Sequence, residues 1–225
     1  MAAAVVAHVD DEAVAVALAG EVAVELGEAG RHHVRQVQVA DASLRLRMHP
    51  GAVALHPFAV ARRHFVGQGA LDYDKYDVWT NARSADEVWS TYFRWLGELA
   101  ATGLYDILAH PDLVKHWGRA DVLRPWPEKD VRHYYDIAME QIAASGMAIE
   151  LSTAGLRKPI GELYPDRAFL EMVADAGNPV ALSSDAHTPD ILGYGYDQAL
   201  ELLSEVGITE LAVFDRRTVT LEPIG

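Results

Sequence analysis

Residues 182–190 read "LSSDAHTPD". An apolar strand runs out there, Asp185 and His187 follow two residues apart, and a helix opens on Pro189. In an extended chain alternate side chains share a face, so this carboxylate and imidazole are expected to point the same way. Such a pair suits a hard or borderline divalent ion. The plain alternative is an aspartate capping the next helix beside an exposed histidine. Thr188, ahead of Pro189, already supplies a cap and a good first helical residue, which leaves Asp185 for other work.

The flanking sequence repeats the strand-then-helix pattern. Ser84 and Glu87 form a capping box, after which Val88, Tyr92, Trp95, Leu96 and Leu99 fall at helical spacing up to Gly103. "LYDILA" predicts a short buried strand ending at His110, and a second helix is predicted from Glu128 to Ser145. "MAIELST" reads as a strand, "DRAFLEMVADAG" as a capped helix and "PVALSS" as a strand. "PDILGYGYDQALELLSEVG" is a helical segment broken early by its glycines, and "ELAVFD" is a further strand. Strands alternating with helices imply an α/β fold of parallel βα units. Ligands in such folds bind beyond the carboxyl ends of the strands. His110, Ser152 to Arg157, and Asp185 with His187 all fall there.

Each candidate has a plain reading beside the functional one. Pro111 is expected to hold His110 extended. Alone, His110 reads equally as a ligand and as a histidine bonded to Asp112 or a carbonyl; the matching strand end at Asp185 tips it toward a metal site. His116, a few residues on, reads as surface. "ELSTAGLRKP" places Ser152, Thr153, Gly155, Arg157 and Lys158 past a strand. Hydroxyls, a flexible backbone and two cations make a phosphate-binding set, against an ordinary capped loop. Glu150, on the strand itself, reads as a buried partner of the site or of a nearby base. His64 leads into a Gly-rich turn, and Asp72, Asp74 and Asp77 after it read as a solvated loop without the glycine and glutamate of a calcium site.

The bulk properties set limits. A chain of 225 residues suits one α/β domain or two small ones, and one is the simpler reading. A net charge of −14 argues against a nucleic-acid surface. A phosphorylated small molecule can still bind where a few cations or metal ions reverse the field locally. The absence of cysteine excludes disulfides and thiolate metal sites. No apolar run reaches the ~20 residues that cross a bilayer. "MAAAVVAHVDDEAV" lacks the basic start of a secretory signal, so a cytoplasmic protein is expected. Residues 10–30 allow a helix, and one strand is expected near Val34–Val39.

"HFVGQGALDYD", "YDILAHPDLVKHWG", "IELSTAGLRKPIGELYP" and "PVALSSDAHTPDILG" follow one another over roughly the last seven-tenths of the chain. In these four blocks it resembles the polymerase and histidinol phosphatase (PHP) superfamily, and most closely its histidinol-phosphatase branch. The resemblance implies a distorted (β/α)7 barrel with divalent ions, whether zinc, manganese or iron, at the strand ends. By matching positions it makes His64, His110, Asp185 and His187 metal ligands. Asp185 and His187 then stand in the catalytic centre, with Arg157, assisted by Lys158, as the phosphate clamp. The implied reaction is hydrolysis of L-histidinol phosphate to L-histidinol and phosphate, by a metal-bridged hydroxide attacking phosphorus. Another small phosphomonoester or a nucleotide is the rival substrate.

The family opens on a first strand carrying H-x-H, followed by a further histidine and a bridging glutamate. No H-x-H occurs in this chain. His8 has Asp10 at that spacing, His32 and His33 are adjacent, and Glu21 and Glu25 lie in unlike surroundings. "FAVARR" ends an apolar strand in two arginines, which a buried strand rarely does. Residues 1–63 are therefore set apart as atypical, with 64–225 as the C-terminal part of the barrel. A truncated or misread gene product, a divergent member with a reduced metal site, and a non-catalytic relative all accommodate this; the abrupt change near residue 64 favours the first. If residues 1–60 supply no strand to cover their neighbour's edge, a poorly soluble and partly molten chain is expected.

Overall fold

The computed structural model describes residues 36–38, 60–73, 77–82, 84–215 and 217–224. The possible helix at residues 10–30, Asp74 and the histidines His8, His32 and His33 lie outside them. The strands are β1 (Gln36–Gln38), β2 (Val60–Arg62), β3 (Phe65–Val66), β4 (Gly69–Ala70), β5 (Ile107–Leu108), β6 (Ala148–Ser152), β7 (Val180–Ser183), β8 (Glu210–Asp215) and β9 (Thr218–Pro223). One parallel sheet runs β1-β2-β5-β6-β7, while β3–β4 and β8–β9 are antiparallel pairs. The parallel α/β class is as expected. Among the described residues, however, the parallel sheet has five strands and does not close into the implied seven-stranded barrel. β1 lies where a strand was expected near Val34–Val39, and it covers the edge of β2 in parallel register.

Among the described residues four α-helices, α1 (Ala85–Ala100), α2 (Val131–Ser145), α3 (Arg167–Ala176) and α4 (Tyr196–Glu205), connect or follow these strands. Their ends obey the capping chemistry. Ser84 Oγ accepts from the Glu87 amide at 3.1 Å. Asp130 accepts from Arg132 N, so α2 begins three residues later than the predicted Glu128. Gly146 and Gly177 end α2 and α3 in the left-handed conformation that glycine adopts at least cost. At the predicted glycine break, Pro189–Ile191 forms a 3-10 turn and α4 starts only after Gly195. Thr188 stands at the cap position there without a side-chain cap bond. Among the described residues, no helix is long and apolar enough to cross a membrane.

Side-chain alternation divides the sheet into two faces. Ala61, Leu108, Ile149 and Val180 face the helices, where Trp89, Tyr92, Phe93, Tyr134, Tyr135 and Phe169 are all buried. Their rings meet at tilted and edge-on angles that aromatic quadrupoles favour. Val60, Ile107, Ala109, Ala148 and Ala181 form a smaller cluster on the other face, joined by Ala212 of β8. The two arginines ending β2 separate accordingly. Arg63 goes to the helix side, its guanidinium 4.1 Å from the Trp95 ring centroid. Arg62 goes to the small-residue side, and both are buried.

Candidate active site at the strand ends

Three parallel strands place a chemically useful residue two positions past their last residue: His64 after β2, His110 after β5 and Asp185 after β7. The β3–β4 hairpin turns at Gly67–Gln68, and Leu71 N donates to the His64 carbonyl at 2.9 Å. This fold-back brings Asp72 to His64, with Oδ2 2.8 Å from Nδ1. Asp72 is thus no solvated loop residue: burial would push its carboxyl up, but the His64, His116 and His110 rings hold it down at about 2. Asp77 is also engaged, capping Trp79 N and pairing with Arg124. With Nδ1–H assigned as donor to Asp72, His64 Nε2 is left as an acceptor, buried and without a hydrogen-bond partner.

The His110 ring meets the His64 ring edge-on, the centroids 5.0 Å apart. Both of its own ring nitrogens are buried and unpartnered. Burial, reinforced by His64 and Arg62, holds its pKa well below the ordinary value, so the ring is neutral and offers one nitrogen lone pair. Pro111 was expected to keep His110 extended, but its φ is +29°. The neighbouring strand overrides the local preference: Glu150 Oε2 accepts from the His110 amide at 2.8 Å. Burial and then the Asp185 charge push the Glu150 carboxyl up to about 7. Glu150 is therefore the buried supporting residue that its place on the strand suggested.

Asp185 also has a positive φ, +45°, so extended alternation is not what relates it to His187. His187 Nε2 lies 3.9 Å from Asp185 Oδ1, and its side chain is half exposed. Non-glycine residues in this region are uncommon, and such strain gathers at functional sites. The Asp185 carboxylate turns toward Arg62, whose Nη2 approaches Oδ1 at 3.3 Å. β2 and β7 are three strand spacings apart, about 14 Å in a flat sheet. The contact therefore requires a curled sheet as well as the inward turn at Asp185. Burial lowers the Arg62 pKa, while Asp185, Glu150 and Asp72 act to raise it.

The loop after β6 differs from the expected phosphate-binding set. Ser152 Oγ caps Ala154 N and Thr153 Oγ1 donates to the Tyr194 carbonyl at 2.5 Å, so both hydroxyls are committed inside the fold. Arg157 remains. Its Nη2 donates to the Ser184 carbonyl at 2.7 Å, its guanidinium lies 5.4 Å from the Tyr194 ring centroid, and its buried Nη1 has no hydrogen-bond partner. Lys158 is exposed. An open groove of about 560 Å³ lined by Arg132, Leu163, Arg167, Glu171 and Gln198 contains none of the site residues. Its arginines are paired with Glu171 and Glu205.

His116, read as surface, is in fact buried, with Nδ1 3.3 Å from the Tyr164 hydroxyl and its ring against Trp117. The only signal in "DLVKHWG" was Leu113, Val114 and Trp117 around it, in a stretch that reads as a polar loop or helical turn. Burial is the main cause that lowers its pKa to about 4; Lys158, His64 and Arg124 lower it further and Asp72 opposes them. The unfolded chain takes up this proton near the ordinary value of 6.5, the folded chain only near 4. Stability linked to His116 is thus present above 6.5 and lost as pH falls toward 4. Between pH 7.5 and 5 the wild type is expected to lose roughly 2 kcal/mol that His116→Gln does not lose. Urea midpoints of the two proteins across that range check it, and parallel pH profiles would contradict it.

Among the described residues, no group of three or more His, Asp or Glu side chains is placed to hold a metal ion. The donor chemistry still fits one at His64 and His110: three buried ring nitrogens lack partners, and one ring is backed by a carboxylate. Asp185 and His187 form a second pair, with the Asp185 charge acting on His110.

Fold and site place the chain among parallel α/β proteins with a polar centre beyond the carboxyl ends of the strands. Similarity to known proteins narrows that class. It is 29% identical over 150 residues to a Deinococcus radiodurans protein described as a probable histidinol-phosphatase, covering 67% of this chain and 55% of that one. It is 27% identical over 140 residues to the histidinol-phosphatase of Bacillus subtilis, covering 58% of this chain and 51% of the relative. The chain thus spans about half the length of these curated relatives. Its fold resembles that of the Lactococcus lactis histidinol phosphate phosphatase, solved with zinc, L-histidinol and phosphate. There the TM-score is 0.58 at 20% identity, covering 76% of this chain and 65% of that one. No protein-family model matches the chain.

Proposed function

We propose that the chain is a divalent-ion-dependent phosphomonoester hydrolase of the PHP type, acting on L-histidinol phosphate. One observation carries this reading: four buried nitrogens without hydrogen-bond partners, on His64, His110 and Arg157, lie at the carboxyl ends of neighbouring strands. Similarity to histidinol-phosphatases supplies the substrate. His64 and His110 would hold the ion, and imidazole ligands admit zinc, manganese or iron. When bound, such an ion polarises a phosphoryl oxygen and acidifies a water molecule.

The remaining roles belong to the protein's own groups. Asp72 fixes the tautomer of His64, and Glu150 fixes the backbone of His110. Arg157 clamps the phosphoryl group through Nη1, with exposed Lys158 adding positive charge beside it. Asp185 and His187 wall the site, His187 on the solvent side. The partner is a small phosphorylated molecule.

The test is phosphate release from L-histidinol phosphate by the full chain supplied with zinc, manganese or iron. Release is expected with an added ion, is lost on chelation and returns on reloading. His110→Ala is expected to lower the rate by at least about 100-fold. Preference for a nucleotide would move the substrate assignment. Absence of release from any phosphomonoester by the ion-loaded chain would leave the non-catalytic relative.

A further inference from the structure

We propose that Arg62 is a built-in cation for Asp185, so that the centre takes its ion at His64 and His110 and none at Asp185. This rests on the ion-binding reading above and narrows it. Arg62 ends β2 on the small-residue face and is 2% exposed. Continuing the sheet register by one residue puts Ala109 at the level of Arg62, and Ala181 pairs with Glu150. The two alanines leave room for a long side chain to cross toward β7. It ends with Nη2 3.3 Å from Asp185 Oδ1. Arg157 reaches the same place from β6, donating to the carbonyls of Ser184 and, at 3.4 Å, Asp185.

Asp185 is therefore held by one guanidinium at its carboxylate and another at its backbone. A dication brought to Oδ1 would face Arg62 at close range, and like charges repel most strongly where water is excluded. Replacing Arg62 would also remove a cation that faces both Asp185 and the buried Glu150, two carboxylates that oppose each other electrostatically. The absence of any three-donor group among the described residues agrees with this arrangement. The consequence for substrate is direct. With Arg62 neutralised by Asp185, positive charge for a phosphomonoester at this wall comes from Arg157, whose Nη1 is the buried donor without a hydrogen-bond partner.

The experiment is calorimetric titration of the full chain with manganese(II), counting ions per chain. Asp185→Asn is expected to leave the count unchanged and the affinity within about threefold, whereas losing a true ligand costs tenfold or more. Arg62→Gln is expected to gain one further ion. Loss of an ion in Asp185→Asn, or no gain in a folded Arg62→Gln, overturns the proposal. If Arg62→Gln lacks the wild-type circular dichroism, the Asp185→Asn arm decides alone. A wild type that binds no ion beside an Arg62→Gln variant that gains one would sink the His64–His110 reading and support Arg62's role. A wild type that binds its ion while Asp185→Asn loses it would sink Arg62's role alone.

Discussion

Lys115→Met is expected to lower the free energy of unfolding by about 3–5 kcal/mol, the range for breaking a buried ion pair by removing one partner. The Lys115 side chain is fully buried, as is that of Asp112, and Nζ lies 2.9 Å from Asp112 Oδ2. Nζ also donates to the Leu163 carbonyl at 2.8 Å and to Glu162 at 3.4 Å. Asp112 Oδ2 in turn accepts from the Asp166 amide at 2.8 Å, just where α3 is capped. Burial already pushes the Asp112 carboxyl up to about 7 against the pull of Lys115, so removing the ammonium leaves a stranded acid. Two segments, residues 112–115 and 162–166, meet on this one nitrogen and its partner. The loop after His110 is thereby tied to the stretch that follows Arg157, so the variant is also expected to raise KM. Urea unfolding checks the stability. Lys115→Met with Asp112→Leu should recover part of the loss, because a buried hydrophobic pair replaces a buried charge pair at little cost. A single variant within 1 kcal/mol of wild type, or a double variant worse than the single, would contradict this account.

The strand-and-helix rhythm was legible because its signals are local. Ser84, Asp166, Gly146 and Gly177 act on their own neighbours, and the structure uses each as its chemistry suggests. Sequence position alone also put His110 and Asp185 at strand ends, while His64 entered only through the family resemblance. What escaped notice depends on contacts between distant segments. Asp72 meets His64 only because a two-residue hairpin folds the chain back. His110 leaves the extended conformation that Pro111 favours because a carboxylate forty residues away holds its amide. His116 is buried by Tyr164 from another loop. The paired arginines looked wrong for a core strand. Alternation resolves them, sending one to Trp95 and the other to Asp185. The hydroxyls past β6 looked available because sequence cannot show that Tyr194 and Ala154 already engage them.

Arg157→Ala is expected to lower kcat/KM for the phosphomonoester by about 100- to 1,000-fold, the loss seen when one preorganised donor to a developing anion is removed. The geometry explains why a single side chain carries so much. Nη2 is fixed on the Ser184 carbonyl and the guanidinium plane lies near Tyr194, so Nη1 is aimed without further ordering when substrate arrives. Arg157→Lys should recover little, since a compact ammonium cannot hold the Ser184 carbonyl and still present a second donor in the same plane. The cost to folding should be small by comparison. The variant gives up the Nη2 bonds to the Ser184 and Asp185 carbonyls, together worth about 1–3 kcal/mol, and its thermal transition should stay cooperative. Measuring kcat and KM separately distinguishes two ways of failing. A rise in KM alone would make Arg157 a ground-state anchor for the phosphate, whereas a fall in kcat places its contact in the transition state. A variant that turns over like wild type, with its fold intact, would remove Arg157 from the site and move the clamp to Arg62.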